Sequence, residues 1–341
     1  MSSTPPKDQE HRGGLNRLAL ERQEGLAGAD MRQLMVELLR RLREDRSEMQ
    51  GTELLSLGDA LSDELGERVN VHNNRFSRVR HFDLFGMFQR DLDHPRPPTA
   101  GANYLDLGCG ALNPYGFGAM MCMLGASVCT SIDLEDIEDE ARAARGVARL
   151  VDAVLMDPPQ VIRDHPITRD QIVRNLHGMD LKALRAGDAN GLGGRIRYFK
   201  RSAYETGLPD ASIDVITSNS FLEHVDDAER LLEEMRRVTK PGGFSIHAVD
   251  GTDHHSYAYQ GVGPHDFLCD PTPGMLHGSN RIRPMEFQGL FERHGFRVQQ
   301  FVVRHRHPVP DQVRARLVAP WSQMSLDMLE STLVTLVARR L

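Results

Sequence analysis

The chain has 341 residues, of which 40% are hydrophobic and 26% are charged, a composition typical of a globular protein with a sizeable core. Its formal net charge of -7 provides no positive field that would attract nucleic acid or an anionic membrane, so neither is expected as a partner. An apolar signal segment, a run of about 18 apolar residues and a regular cysteine pattern are all missing, and a cytoplasmic protein is therefore expected.

The first part of the chain is predicted to precede the main domain. Residues 1–14 are polar and rich in proline, glycine and charge, which predicts a disordered tail. Residues 15–95 carry leucines at helical spacing, for example Leu57, Leu61 and Leu65, and predict a helical cap. The main domain is then predicted over residues 96–341.

Short apolar strands alternate with helical segments along the main domain. Helices are predicted at 117–124 and 228–238, and strands at 104–107, 127–132, 196–199, 213–217, 244–249, 296–303 and 332–338. This succession predicts an α/β fold with a doubly wound, mostly parallel sheet of seven strands. About sixty residues separate the second and third strands, so residues 137–195 are interpreted as an insertion, with helical patterning at 138–155 and 167–176.

A glycine turn, Asp106-Leu-Gly-Cys-Gly110, follows the first predicted strand. Its glycines allow backbone N–H groups to approach a ligand closely at the start of the next helix. Asp133, at the end of the second strand, suits a carboxylate that accepts hydrogen bonds from ribose hydroxyls. Dinucleotides and S-adenosylmethionine (SAM) can both bind such a turn, although dinucleotide sites usually have a third glycine where this chain has Asn113. The turn by itself predicts a nucleotide cofactor and leaves its class open.

Three further segments follow in order after the insertion. They are residues 204–219, the motif Phe221-Leu-Glu-His-Val225, and residues 234–243, which end in Lys-Pro-Gly-Gly. Together with the glycine turn they resemble the core of class I SAM-dependent methyltransferases over roughly residues 100–250. The resemblance implies a Rossmann-like fold and SAM as the cofactor.

The resemblance also implies which residues contact the cofactor. Asp106, Gly108 and Gly110 would hold the methionine end, and Asp133 with Leu134 would hold the ribose. Ser202 and Ala203 would lie at the adenine edge, and Asn219 on the sulfonium side. The family often has an aspartate where this chain has Ser202. The adenine hydrogen bond at that position is therefore in question.

Titratable residues follow the fourth and fifth strands, where a doubly wound sheet places its ligand crevice. His224 lies after the fourth strand, and Asp250 and His254 lie after the fifth. A histidine with a pKa near neutrality can take the proton that an oxygen acceptor has to lose, so these three residues are the catalytic candidates. Histidine, aspartate and glutamate residues in these two loops could alternatively bind a divalent ion that acidifies a sugar or catechol hydroxyl. The spacing of Asp250, Asp253 and His254 matches no strong metal motif, however, and no metal site is predicted.

The favoured function is methyl transfer from SAM to a small molecule, with oxygen preferred over nitrogen or sulfur. The region after the fifth strand further resembles methyltransferases from bacterial polysaccharide and natural-product gene neighbourhoods. Arg281 and Arg283 alternate on an extended stretch and are candidates for clamping an anionic acceptor. Two alternatives remain: a nucleotide-dependent oxidoreductase or epimerase, and a catalytically silent methyltransferase-like subunit. A homodimer formed through the helical cap is a further possibility.

Overall fold

The computed structural model describes residues 99–111, 114–156 and 167–341. The predicted tail, the predicted helical cap and Asn113 lie outside the described residues, so those predictions remain untested. None of the described helices is both long and apolar enough to cross a membrane.

Seven strands form one sheet in the order β3-β2-β1-β4-β5-β7-β6. Strands β1 to β5 pair in parallel, and β7 runs antiparallel to both β5 and β6. The strands are β1 Asn103–Leu107, β2 Val128–Asp133, β3 Ile196–Lys200, β4 Ile213–Asn219, β5 Thr239–Asp250, β6 Phe296–Arg306 and β7 Ser331–Arg340. The predicted doubly wound, mostly parallel sheet is confirmed, and its strand order reverses between β1 and β4, where such folds place their ligand crevice.

The described helices connect the strands and cover the sheet. They are α1 Gly116–Met123, α2 Glu140–Met156, α3 Arg169–Asn175, α4 Leu181–Arg185, α5 Ala228–Val238, α6 Glu286–Arg293, α7 Asp311–Arg314 and α8 Leu326–Glu330. Successive strand residues point to opposite faces, so Tyr104 and Leu105 belong to different core clusters. Helices α1 and α2 contribute to the first cluster, and α5 and α6 contribute to the second. Both faces of the sheet are thus buried, as a parallel sheet requires.

The insertion between β2 and β3 is helical, as its sequence pattern predicts. Helix α2 and helix α3 fall on the two predicted helical stretches, and α3 begins with a capping box between Thr168 and Gln171. The short helix α4 was not predicted because five residues give no clear periodicity. The side chain of Asp180 caps it by accepting hydrogen bonds from two backbone N–H groups.

Helix α5 packs its apolar residues into the second core cluster. Its residues Leu231, Leu232, Met235 and Val238 are buried at helical spacing. The Asp227 carboxylate accepts a hydrogen bond from the backbone N–H three residues later and so caps the helix. The helix fixes the loop that precedes it, which carries the motif at 221–225.

A buried histidine joins the two central strands β4 and β5. His247 lies opposite Ser218 in the pairing register, and its Nδ1 is 2.7 Å from the Ser218 hydroxyl. Its Nε2 is 2.6 Å from the Ser245 hydroxyl, and its ring packs against Phe291. Burial lowers the pKa of His247 to about 3, so the ring is neutral and serves as a structural link.

The chain between β5 and α6, residues 251–285, begins at the carboxyl end of β5. It contains two short 3₁₀ turns, His254–Tyr257 and Asp266–Cys269. Phe267 and Leu268 pack with Trp321 and Leu329 in a third core cluster. We call residues 251–285 the β5–α6 segment.

Candidate cofactor and acceptor site

The glycine turn after β1 is closed by backbone hydrogen bonds and by an aromatic ring. Gly108 has a φ of +65° and Gly110 a φ of +79°, a region that other residues enter only at a cost. The Gly108 N–H donates to the Ile132 carbonyl over 2.9 Å. A Cβ added at Gly108 would lie 2.7 Å from Cγ of Phe221, so the glycine allows the phenyl ring to close on the turn.

The Asp133 carboxylate binds the same turn from the end of β2. Its Oδ2 accepts a hydrogen bond from the Gly110 N–H over 2.8 Å. Its Oδ1 accepts from the N–H groups of Leu134 and Glu135 over 2.7 and 3.3 Å. The side chain of Leu134 is 68% exposed, which places an apolar surface beside the carboxylate. Asp133 therefore connects two strand ends at the crevice.

Asp106 is a partly buried carboxylate near the end of β1. Its Oδ1 accepts a hydrogen bond from the Thr217 hydroxyl over 3.1 Å, which links β1 to β4. Burial raises the pKa of Asp106 to about 7, and the negative charge of Asp133 acts in the same direction. A cationic group placed beside this carboxylate would favour its ionised form.

The loop after β3 is held by contacts that the sequence did not reveal. The Ser202 hydroxyl accepts a hydrogen bond from the Tyr204 N–H over 3.2 Å and remains able to donate. The Tyr204 hydroxyl bonds the Asp226 carboxylate and accepts from the Asp226 N–H over 3.1 Å. Arg230 lies over the Tyr204 ring at 5.1 Å. Tyr204 thus ties the Ser202–Ala203 loop to the loop after β4.

Asn219 is the last residue of β4 and pairs with Ala248 of β5. The next residue, Ser220, has a φ of +48°, and its N–H donates to the Ala248 carbonyl over 2.9 Å. This turn directs Phe221 onto Gly108. Asn219 thus lies at the carboxyl end of the sheet, and its predicted contact with the sulfonium side of the cofactor stays a prediction.

Glu223 lies in the short turn that follows β4 and is fully buried. We call this turn, together with the turn at His254 that follows β5, the rim. Oε1 of Glu223 accepts a hydrogen bond from the Asp250 N–H over 3.1 Å. Within the described part of the chain, its buried Oε2 has no hydrogen-bond partner. Burial raises the pKa of the Glu223 carboxyl well above its usual range.

His224 and His254 meet at this rim, with ring centroids 4.8 Å apart. The Nδ1 of His224 lies 2.7 Å from the Gly278 carbonyl oxygen. A carbonyl only accepts hydrogen bonds, so Nδ1 donates to it, and in the tautomer that this contact selects the lone pair is on Nε2. Burial lowers the pKa of His254, and the nearby His224 lowers it further. The two predicted catalytic histidines are therefore neighbours in space.

Asp250, the third catalytic candidate, is already engaged by its neighbours. Its Oδ1 accepts hydrogen bonds from the N–H and the hydroxyl of Thr252, over 3.0 and 2.7 Å. Its Oδ2 accepts from the Tyr257 hydroxyl over 2.6 Å. These bonds fix the turn that carries His254, so the contacts of Asp250 are those of a positioning residue.

A second polar group lies in the β5–α6 segment and was missed by the sequence analysis. The buried Asp253 carboxylate accepts hydrogen bonds from the His255 N–H, from the Phe267 N–H and, over 2.8 Å, from Nδ1 of His277. The rings of His255 and His277 stack with centroids 3.7 Å apart. The network connects the beginning and the end of the segment, and the separation of 24 positions between Asp253 and His277 explains why spacing did not reveal it.

Arg281 and Arg283 do not form the surface clamp that the sequence predicted. They are 2% and 0% exposed. Arg281 donates to the carbonyls of Asp270 and Gly274 and lies over the Trp321 ring. The two terminal nitrogens of the Arg283 guanidinium donate to backbone carbonyls. The prediction was wrong because these guanidinium groups satisfy loop carbonyls inside the protein, which leaves no basis for an anionic acceptor at this pair.

Parts of this chain are similar in sequence to known methyltransferases. The family described as "Methyltransferase domain" matches residues 167–247. An uncharacterized methyltransferase from Mycobacterium sp. (strain KMS) is 42% identical over 67 residues, which are 20% of this chain and 26% of the relative. A ubiquinone biosynthesis O-methyltransferase from Coxiella burnetii is 29% identical over 100 residues, which are 29% of this chain and 42% of the relative. The chain thus spans less than half the length of these curated relatives.

Among solved structures, a SAM-dependent methyltransferase from Mesorhizobium loti aligns over 76% of this chain and 96% of its own, with 16% identity and a TM-score of 0.39. A geranyl diphosphate methyltransferase in complex with SAM aligns over 81% and 94% of the two chains, with 12% identity and a TM-score of 0.43. The family match favours the methyltransferase hypothesis over the oxidoreductase hypothesis.

Proposed function

We propose that this chain, which contains a class I SAM-dependent methyltransferase domain, transfers a methyl group from SAM to a small molecule, with oxygen as the preferred acceptor atom. The observation that carries the proposal is the meeting of His224 and His254, whose ring centroids lie 4.8 Å apart beyond the carboxyl ends of β4 and β5.

The residues around the glycine turn fit SAM in charge and in hydrogen bonding. Each carboxylate oxygen can accept about two hydrogen bonds, so Oδ2 of Asp133, which accepts one from Gly110, can accept another from a ribose hydroxyl. The exposed Leu134 offers an apolar surface for the adjoining adenosine. The partly buried Asp106 can pair with the ammonium group of the methionine moiety, which would stabilise the charged form of the carboxylate.

The acceptor would lie at the rim formed by His224 and His254. SAM supplies an electrophilic methyl group: the new bond joins the acceptor oxygen to the methyl carbon as the bond from sulfur to that carbon breaks. Proximity and orientation provide much of the acceleration in such a displacement. The hydroxyl proton has to leave, and the lone pair on Nε2 of His224 gives this rim a group that can accept it. This arrangement favours a hydroxyl acceptor.

Transfer of isotopically labelled methyl groups from SAM tests this proposal. The protein would be incubated with panels of hydroxyl, amine and thiol compounds, and the products identified by mass spectrometry. We expect label on hydroxyl groups, and a loss of about 100-fold or more in turnover for the double variant His224→Ala, His254→Ala, with SAM binding retained. His294→Ala, at the end of α6, is the matched control.

Three results would contradict the proposal. Label found only on nitrogen or sulfur would remove the preference for oxygen. Unchanged turnover in the double variant would show that neither imidazole assists the reaction. SAM binding without transfer to any compound in the panels would favour the catalytically silent subunit instead.

A further inference from the structure

We propose that Glu223, His224 and His254 together bind one divalent first-row transition ion at the carboxyl ends of β4 and β5. One ligand atom from each residue, a carboxylate oxygen and two ring nitrogens, lies within 4.8 Å of the others. Two imidazoles and one carboxylate form a ligand set that suits zinc and related ions and leaves coordination positions open for a substrate. The catalytic consequence rests on the proposed methyltransferase function, whereas the binding itself does not.

Glu223 provides the first argument for an ion. A buried charge without a partner is strongly unfavourable unless it is neutralised or coordinates a metal. The Glu223 side chain is 0% exposed, one of its oxygens accepts from the Asp250 N–H, and Oε2 is buried with no hydrogen-bond partner among the described residues. A cation at the rim would satisfy this oxygen.

His224 provides the second argument. Histidines that bind metals usually donate a hydrogen bond from the other ring nitrogen to a carbonyl or carboxylate, which fixes the tautomer and the ring orientation. Nδ1 of His224 makes this contact with the Gly278 carbonyl over 2.7 Å. The glycine has a φ of +79° and follows His277, whose φ is +52°, so a tight turn of the β5–α6 segment presents the carbonyl.

His254 completes the group from the other side of the rim. The 3₁₀ turn His254–Tyr257 follows Asp253, whose carboxylate caps it. The Tyr257 ring stacks on His254 at 5.8 Å, and the Tyr257 hydroxyl donates to Asp250. Capping, stacking and hydrogen bonding all restrict the His254 side chain, and a pre-organised ligand loses less entropy when an ion binds.

The group around Asp253 is the weaker candidate for the same ion. A carboxylate oxygen of Asp253 and ring nitrogens of His255 and His277 also lie within 4.8 Å of one another. Both Asp253 oxygens, however, accept hydrogen bonds from protein donors, and the two rings stack face to face. Ring lone pairs lie in the ring plane, so two parallel rings direct them side by side and not toward one point.

An ion at Glu223, His224 and His254 would change how the acceptor loses its proton. The ion would occupy the lone pairs that otherwise make His224 and His254 bases. A hydroxyl bound to a divalent ion has a lowered pKa and releases its proton to water, and the resulting oxygen forms the bond to the methyl carbon as the sulfur–carbon bond breaks. The acceptor class narrows to compounds whose hydroxyl can reach the ion, such as polyols or phenols with neighbouring oxygens.

Metal binding can be measured without turnover. The full-length protein would be treated with a chelator, dialysed, and titrated with Zn²⁺ by calorimetry, and with Co²⁺ by visible absorption, which reports the ligand field. We expect one equivalent of Zn²⁺ to bind at this group, and Glu223→Gln and His254→Ala each to weaken it by about 100-fold or more. Glu223→Gln keeps a carbonyl oxygen for the Asp250 N–H, and thermal unfolding would verify that each variant folds.

The matched control is His255→Ala, which removes one ring of the Asp253 group, keeps the backbone N–H that donates to Asp253, and leaves the three proposed ligands and the turn at Gly278 in place. We expect it to retain the Zn²⁺ affinity of the parent protein. The proposal is overturned if the parent binds no stoichiometric Zn²⁺, or if binding is lost in His255→Ala but kept in Glu223→Gln and His254→Ala. SAM titration of the chelated protein is a separate readout: its failure would count against the proposed function and leave the metal result standing.

Discussion

Substitution of Gly108 by alanine should damage the cofactor turn through a specific steric contact. Gly108 has a φ of +65°, and a Cβ there would lie 2.7 Å from Cγ of Phe221. A left-handed alanine costs about 1–2 kcal/mol in backbone strain. Overpacking against the phenyl ring adds about 1–3 kcal/mol. We therefore expect Gly108→Ala to destabilise the protein by about 2–5 kcal/mol.

Gly101 offers a matched control. Its φ of +71° is close to that of Gly108, but no heavy atom lies within 4 Å of a Cβ added there. Gly101→Ala should lose only the backbone contribution of about 1–2 kcal/mol and should leave SAM affinity unchanged. Gly108→Ala should weaken SAM binding at least about tenfold, because the turn must shift to relieve the contact.

Urea unfolding followed by circular dichroism would measure the two stabilities, and calorimetry the SAM affinities. A double-mutant cycle with Phe221→Ala isolates the contact, and we expect removal of the ring to recover much of the extra loss in Gly108→Ala. Equal destabilisation of the two glycine variants, or additive effects in the cycle, would refute the assignment of Phe221 as the neighbour that requires glycine.

Three further predictions concern single side chains. Asp133→Ala should weaken SAM binding by about 10- to 150-fold, since hydrogen bonds to a charged group contribute about 1.5–3 kcal/mol, and calorimetry would show it. His247 has a pKa of about 3 in the folded protein, so the unfolded chain takes up a proton first as pH falls below about 6.5. The free energy of unfolding then falls by up to about 1.4 kcal/mol per pH unit. The fall between pH 6.5 and 4 should be smaller in His247→Gln, and equal slopes of unfolding free energy against pH in the two proteins would contradict this. Arg281→Met should cost on the order of 3 kcal/mol in urea unfolding because buried carbonyls lose their donor, whereas the exposed Arg293→Met should cost less than about 0.5 kcal/mol.

The fold and the position of Asp133 beside the glycine turn could be predicted because their signals are local. Alternating apolar segments defined the strands, and the glycine turn and Asp133 lie only 23 residues apart, on neighbouring parallel strands whose carboxyl ends meet. The acceptor side depends on contacts between distant parts of the chain. The Gly278 carbonyl reaches His224 across 54 residues, and no spacing rule reveals that contact.

Arg281 shows why one prediction was wrong. Because Arg281 and Arg283 alternate on a stretch predicted to be extended, a clamp for an anionic acceptor was expected. Arg281 instead has a φ of +61°, and its guanidinium turns inward to bind carbonyls of the β5–α6 segment. Hydrogen bonding to irregular backbone has no periodicity, so the sequence does not distinguish a buried structural arginine from one that binds a ligand.

Calorimetric titration of the purified protein with SAM and with its demethylated product tests the central claim most directly. We expect saturable binding of both compounds at one site per chain, with the affinity for each reduced at least about tenfold in Asp133→Ala and unchanged in Gly101→Ala. An absence of binding by the parent protein, or equal affinity in Asp133→Ala, would contradict the assignment of the glycine turn and Asp133 as the SAM site.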